Sequence, residues 1–254
     1  MRPSQAGLAI ILRARAYRES DKIVTFLTRD FGKLTGIAKG AKNSRRRFAN
    51  CLDPLTAVRV YFRSKPAATL VFMESCDLLR PATIFAEPVK FAYGSYLIEL
   101  TDQLTGEAHP VPEVYDLLDG ALTALSDGIA AAAFLRAFEL HLLHHAGYEP
   151  HLESCAACHR SLAERDRVFL DPLQGSLVCG ICRGPDQSWV PVAGETVAML
   201  ERLKGTTLPD AQTVRLPTVL AAEAAQLLGR LLSLHVARPL KSVGLITNLA
   251  QPRS

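Results

Sequence analysis

The sequence predicts an α+β protein in which a small five-stranded β-barrel precedes an α-helical bundle that is interrupted by a four-cysteine insert. Three observations support this fold class. Segments rich in β-branched and aromatic residues recur through residues 1–80, helical periodicity dominates residues 81–254, and two Cys-x-x-Cys pairs lie within residues 150–190. We therefore divide the chain into a first domain at 1–80 and a second at 81–254, with 150–190 as an insert in the second.

The first domain contains five segments that read as strands. Arg29-Asp30-Phe31-Gly32 is a turn signal typical of a hairpin, and a longer connection precedes the fourth segment. Loose alternation in the first segment places Ile11, Arg13 and Arg15 on one face. Five short strands favour the OB fold, the common five-stranded barrel that binds nucleic acid, and leave an SH3-like barrel open. The predicted strands are 7–17, 23–28, 34–38, 55–63 and 69–80.

The second domain shows apolar residues at helical spacing. Pro112 is a favourable first-turn residue, and Gly147 is an expected helix stop. Because the periodicity stops before the cysteines and resumes after them, the pattern indicates one helical bundle with an insert. The predicted helices are 86–106, 112–126, 129–146, 195–204 and 218–236.

Positive charge is concentrated near the amino terminus. Residues 1–80 carry 16 Lys and Arg against 6 Asp and Glu, a net of +10, whereas residues 81–254 carry 13 against 19, a net of −6. Residues 33–48 contain no acid. Cations at a fixed spacing on a strand and its exit loop suit a polyanion such as a phosphate backbone, although a solvated loop is the alternative. The six cations of this segment are Lys33, Lys39, Lys42, Arg45, Arg46 and Arg47.

Four of the six cysteines form two Cys-x-x-Cys pairs separated by 20 residues, namely Cys155, Cys158, Cys179 and Cys182. Two such turns complete a tetrahedral zinc site, and four protein ligands leave no open position, which predicts a structural Zn²⁺. A hairpin over 169–177 would bring the pairs together. Two redox pairs or loose thiols are the alternatives. Cys51 and Cys76 are expected to be small buried hydrophobes.

Enzymatic interpretations have weak support. His151 and Glu153 followed by the second cysteine pair partly resemble the zinc deaminase signature, but Val178 stands where that signature has Pro. His141 and His145 could share a metal-binding helix face, although no HExxH motif accompanies them. The sequence contains no P-loop and no GxGxxG, so we expect a protein that is not an enzyme. The lack of an 18-residue apolar run or a signal peptide predicts a cytoplasmic location.

Several motifs together resemble the bacterial recombination mediator family RecO, and the similarity extends over nearly the whole chain. The segment from Tyr17-x-Glu19-Ser20-Asp21 through Thr28 begins it, and Gly32-Lys33 follows. The remaining parts are the two cysteine pairs together with Ala38-Lys39-Gly40-Ala41-Lys42, Arg45-Arg46-Arg47-Phe48, Gly147-Tyr148-x-Pro150 and Leu240-Lys241-Ser242.

The resemblance implies a non-enzymatic, nucleoid-associated protein of DNA repair and recombination after DNA damage. Such a protein binds single- and double-stranded DNA, anneals strands and helps load RecA onto DNA coated with single-strand-binding protein, acting with RecR and RecF. The acidic tail of the single-strand-binding protein is a further expected partner. The alternative is an RNA-binding protein with an OB fold and a zinc knuckle.

The resemblance implies that the six cations of residues 33–48 contact the DNA phosphates. Arg13, Arg15 and Arg59 would extend that face if strand alternation points them outward. Phe31 or Phe48 would either stack on a base or pack in the barrel core.

Overall fold

The computed structural model describes residues 3–64, 69–82, 86–162, 167–171, 173–185 and 189–250. Lys65-Pro66 is a turn signal between the predicted strands 55–63 and 69–80, and it lies outside these described residues. Contacts divide the chain into two compact units: the barrel unit, Met1–Asp127 with Leu240–Ser254, and the cysteine unit, Gly128–Pro239. The barrel unit thus includes helices that follow residue 80. The first domain predicted from the sequence, in contrast, ends at residue 80.

Five strands close into a barrel in the order β1-β2-β3-β5-β4. Neighbouring strands are antiparallel except for the parallel pair β3 and β5. This is an OB-type barrel, as predicted. A 3₁₀ helix, Ala41–Asn43, lies in the long connection between β3 and β4. The strands are β1 Gln5–Tyr17, β2 Asp21–Thr28, β3 Gly32–Ala38, β4 Ala57–Arg63 and β5 Val71–Arg80.

Alternation of side chains builds the barrel core. Val58, Val60 and Phe62 of β4 are buried while Arg59 between them is exposed, because successive residues of a strand point to opposite faces. In β1 the pairing register with β2 shifts between Ile11 and Arg13. Ile11 packs in the core, so its predicted grouping with Arg13 and Arg15 on one face is wrong, because a bulge changes the phase of the strand.

Among the described residues, the barrel unit has three α-helices: α1 Pro88–Leu104, α2 Pro112–Asp127 and α7 Ser242–Ala250. Both α2 and α7 pack against α1. The turn between β2 and β3 requires a glycine, because Gly32 has φ of 70° and an added Cβ would collide with the backbone of His109. The segment that follows α1 is therefore seated directly against the β2–β3 turn.

The cysteine unit combines four helices with a three-stranded sheet in the order β7-β6-β8. Phe169 of β6 pairs with Val178 of β7 in the antiparallel hairpin that was expected at this position. In the described parts of the chain, no helix is both long and apolar enough to cross a membrane. The elements are α3 Ala132–His145, β6 Arg167–Leu170, β7 Leu177–Cys179, β8 Val190–Ala193, α4 Gly194–Lys204, α5 Leu208–Thr213 and α6 Thr218–Ser233.

Candidate functional site

The basic loop, which we define as residues 39–47, is fixed to the turn between β1 and β2. The ammonium of Lys42 donates hydrogen bonds to the carbonyl oxygens of Arg18 at 2.8 Å and Glu19 at 2.9 Å. Its backbone N–H donates to the carbonyl of Ser20 at 2.9 Å. These bonds join the loop and the turn into one polar surface at the edge of the barrel.

A carboxylate supports the same junction. The Oδ1 atom of Asp21 accepts a hydrogen bond from the backbone N–H of Gly40 at 2.9 Å. This hydrogen bond is the main reason that the pKa of Asp21 lies below its usual range, whereas desolvation of the carboxylate acts to raise the pKa. Gly40 itself has φ of 67°, a conformation that glycine adopts without strain. The charged form of Asp21 therefore anchors the start of the basic loop.

Arg47 holds the other end of the loop. Its guanidinium donates to the carbonyl of Lys39 at 2.9 Å and lies 5.2 Å from the ring centroid of Phe48. Its own carbonyl accepts the backbone N–H of Cys76 at 2.9 Å. Cys76 and Cys51 are both buried, as expected. Arg47 thus stabilises the loop conformation as well as adding positive charge.

Other cations of this surface are exposed. Arg45 and Arg46 make no hydrogen bond or ion pair with any residue in the described ranges. Lys39 is also exposed, with its ammonium 6.0 Å from the ring centroid of Phe72. Arg15 and Arg59 are exposed on β1 and β4. These side chains are available to a polyanion.

Lys33 differs from the rest. Its ammonium lies 3.2 Å from Oδ1 of Asp102, and Arg13 lies 3.3 Å from the other oxygen of that carboxylate. The Lys33 side chain is 11% exposed, against 57% for Arg13. DNA contact by the nine basic residues stays a prediction, and among them Lys33 is nearly buried and shares the carboxylate of Asp102 with Arg13.

The two phenylalanines proposed for base stacking pack into the barrel. Phe48 is 4% exposed and belongs to the hydrophobic core. Phe31 is half-buried, and its ring meets that of Phe62 edge-on with centroids 5.3 Å apart. Phe48 therefore follows the core interpretation, because a base cannot reach a ring that is buried. Phe31 packs against the same core with part of its surface exposed.

The four paired cysteines converge in the cysteine unit. Their Sγ atoms all lie within 4.8 Å of one another, and those of Cys158 and Cys179 are 4.0 Å apart. A tetrahedral site with metal–sulfur bonds of about 2.3 Å has sulfur–sulfur edges of about 3.8 Å. The hairpin of β6 and β7 places Cys179 beside Cys155, whose sulfur accepts its backbone N–H at 3.3 Å. This cluster can hold a metal ion.

The electrostatics of the cluster favour a cation. Burial disfavours ionisation of Cys155, but backbone N–H donors outweigh it and lower its pKa to about 6. Hydrogen bonding to the sulfurs of Cys158 and Cys179 raises the pKa of Cys182 to about 12. Adjacent thiolates repel one another, so all four sulfurs can be ionised together only around a positive ion.

The other proposed metal arrangements do not form among the described residues. The metal-competent group consists of the four cysteines, without His151 or Glu153. His141 contacts the carbonyl of Lys204 at 3.0 Å through Nε2. The deaminase-like and histidine-face interpretations therefore gain no support from the geometry.

Comparisons with known proteins match both halves of the chain. A family model for the N terminus of recombination protein O matches residues 3–82, and one for the C terminus matches residues 86–243. A DNA repair protein RecO from Anaeromyxobacter sp. (strain Fw109-5) is 37% identical over 91% of each chain. That of Myxococcus xanthus is 37% identical over 92% of this chain and 93% of the relative. That of Geobacter sulfurreducens is 33% identical over 95% and 96%.

Proposed function

We propose, from the premise that this chain belongs to the RecO family of DNA repair proteins, that it binds single- and double-stranded DNA through its barrel unit. It acts by binding rather than by catalysis. In this proposal it works in the cytoplasm, at the nucleoid, as a mediator of homologous recombination.

The observation that carries the DNA-binding proposal is the state of the basic loop. Arg45 and Arg46 project from an acid-free segment that is fixed at both ends, through Lys42 and through Arg47. A guanidinium binds phosphate oxygens through paired N–H groups, and each phosphate that is neutralised releases condensed counterions. A loop that is already ordered loses less conformational entropy when it binds DNA.

The mediator role follows from the same premise. The protein anneals complementary strands and, with RecR and RecF, helps RecA replace single-strand-binding protein on DNA. The charge asymmetry supports separate partners, because the net +10 of residues 1–80 suits DNA while the remainder carries net −6. The acidic tail of single-strand-binding protein is a further ligand for the positive surface.

We also propose that the four-cysteine cluster holds a structural Zn²⁺. Four sulfur donors within 4.8 Å of one another suit zinc, and two of the four, Cys155 and Cys179, are buried. Cys155, Cys158, Cys179 and Cys182 would all be ligands, and the ion would tie the segment that follows α3 to strand β7.

A salt titration tests DNA binding. Binding of a fluorescent single-stranded oligonucleotide is measured across a salt series for the wild type and for Arg45→Ala/Arg46→Ala. We expect weaker binding and a salt slope that is shallower by roughly 1–2 units, because two phosphate contacts are lost. Competition with structured RNA distinguishes the alternative, since RNA preference would favour an RNA-binding protein.

The matched control removes two barrel cations that are already paired. Arg29 contacts Asp116 through two hydrogen bonds, and Arg63 lies 2.6 Å from Glu74. Arg29→Ala/Arg63→Ala removes the same charge from the same unit, so we expect little change of the slope. Equal slopes for the wild type and the Arg45/Arg46 variant would contradict the assignment of the basic loop.

A further inference from the structure

Tyr17 is an exposed aromatic residue at the end of β1. It lies opposite Asp21 of β2, and Arg13 and Arg15 precede it at two-residue steps on the same strand. Because alternate residues of a strand share a face, these three side chains belong to one outer row, which follows the bulge. The Tyr17 side chain is 38% exposed, in contrast to Phe48. An accessible aromatic ring therefore lies at the end of a row that also contains Arg13 and Arg15.

A cation accompanies the ring. The guanidinium of Arg18 lies 5.3 Å from the ring centroid of Tyr17, within the range of a cation–π interaction. Arg18 has φ of 51°, which is uncommon for a non-glycine residue. Its carbonyl accepts the ammonium of Lys42 at 2.8 Å, which holds the turn in place. The ring of Tyr17 thus contacts Arg18, the residue to which the basic loop is hydrogen-bonded.

A cavity of about 270 Å³ opens along the same outer row. Two arginines from β1 line it together with apolar residues and two threonines, and the guanidinium groups are donors suited to phosphate oxygens. The two threonine hydroxyls already contact each other at 3.3 Å. The polar lining residues are Arg13, Arg15, Thr25 and Thr35.

We propose that Tyr17 stacks on an unpaired base, and that this contact makes the barrel unit prefer single-stranded DNA. This inference rests on the proposed function and adds the residue that reads the exposed base. Cations bind the backbone of single strands and duplexes alike, whereas the face of a base is accessible to an aromatic ring only outside a duplex stack. Tyr17 supplies the ring that Phe31 and Phe48, packed in the barrel, do not.

The test compares two ligands of equal length and charge: oligothymidylate, and the same oligonucleotide with abasic residues. We expect the wild type to bind oligothymidylate more tightly by about fivefold or more, the affinity ratio for stacking one base. Tyr17→Ala should lose this preference, and Tyr17→Phe should keep it. The salt slope should be unchanged in both variants, because stacking releases no counterions.

Tyr148→Ala is the matched control, since Tyr148 is a similarly exposed tyrosine in the cysteine unit and should leave the preference intact. The proposal is overturned if the wild type binds both ligands equally, or if Tyr17→Ala keeps the preference. Equal weakening of both ligands by Tyr17→Ala would also overturn it, because that result indicates a structural role. The Arg45/Arg46 salt titration decides the proposed function separately from each of these outcomes.

Discussion

Lys42 and Arg18 are joined by a hydrogen bond of 2.8 Å from the ammonium of the first to the carbonyl oxygen of the second. The basic loop therefore contains two kinds of cation. Lys42 and Arg47 use their side chains to hold the loop in place, whereas the side chains of Arg45 and Arg46 make no hydrogen bond with the residues that the structure describes. These four residues carry the same charge, but the structure predicts different effects on DNA binding when each one is replaced.

Lys42→Met should weaken binding of single-stranded DNA by roughly threefold to tenfold, because charge-assisted hydrogen bonds that order the loop are lost. The salt slope should stay close to that of the wild type, since the ammonium is engaged by two carbonyl oxygens. Arg45→Ala should instead make the slope shallower by about 1. Fluorescence anisotropy at several salt concentrations measures both quantities, and the same slope change in the two variants would contradict this division of roles.

The ion pair of Lys33 with Asp102 makes a prediction about stability. Asp102→Ala should lower the free energy of unfolding by about 3 kcal/mol, because the nearly buried ammonium of Lys33 loses its carboxylate partner and keeps only the backbone carbonyl of residue 102. Lys33→Met should cost less, since the carboxylate keeps Arg13 at 3.3 Å and the methionine fills the space. Urea denaturation measures both changes.

The DNA-binding behaviour of the same variant tests the role of Lys33. If the charge of Lys33 only stabilises the contact between the barrel and α1, the Lys33→Met variant should bind DNA with the wild-type salt slope. A slope that is shallower by about 1 would show instead that Lys33 contacts phosphate in the complex.

Much of the fold could be predicted because local patterns report it directly. The alternation of Val58, Val60 and Phe62 marks β4, and the spacing of the two cysteine pairs marks the four-cysteine cluster. The phase of β1 could not be predicted, since a bulge after Ile11 leaves no clear signal in sequence.

Other features depend on partners that are distant in sequence. α5 has only six residues, which is too short for helical periodicity to be recognised. The start of α7 is fixed by Glu99, more than 140 residues earlier in the chain. In the same way, the role of Lys33 is decided by Asp102 and that of Lys42 by two carbonyl oxygens. Residue type alone does not reveal whether a lysine stabilises the fold or remains free to bind.

Glu99 makes a prediction about pH. Its carboxylate accepts the backbone N–H groups of Lys241 at 3.0 Å and Ser242 at 2.8 Å, at the start of α7. Burial disfavours the charge, but the hydrogen bonds with Ser242 and Lys241 outweigh it and lower the pKa of Glu99. The stabilisation is therefore complete above the ordinary glutamate value of 4.5 and is lost as pH falls through the lowered pKa.

Glu99→Gln should speed amide hydrogen exchange at the start of α7, because the carboxamide offers one acceptor oxygen where the carboxylate offers two. The difference in exchange rate between Glu99→Gln and the wild type, compared at the same pH, should be largest above about pH 4.5. It should disappear in more acidic solution. Hydrogen–deuterium exchange of peptides covering α7 measures it. A difference that does not vary with pH would argue against a role for the charge.

The cysteine cluster makes the last prediction. Cys155→Ser should lose zinc and lower the melting temperature, because three remaining thiolates leave the tetrahedral site incomplete. Single-stranded DNA binding should persist at least in part, since the basic loop belongs to the other compact unit. Cys51→Ser is the matched control: this buried thiol lies outside the cluster and donates to the carbonyl of Ala49 at 3.1 Å, a bond that a hydroxyl can keep. Metal analysis should find one zinc per chain in the control, and one zinc per chain in Cys155→Ser would rule out the four-thiolate site.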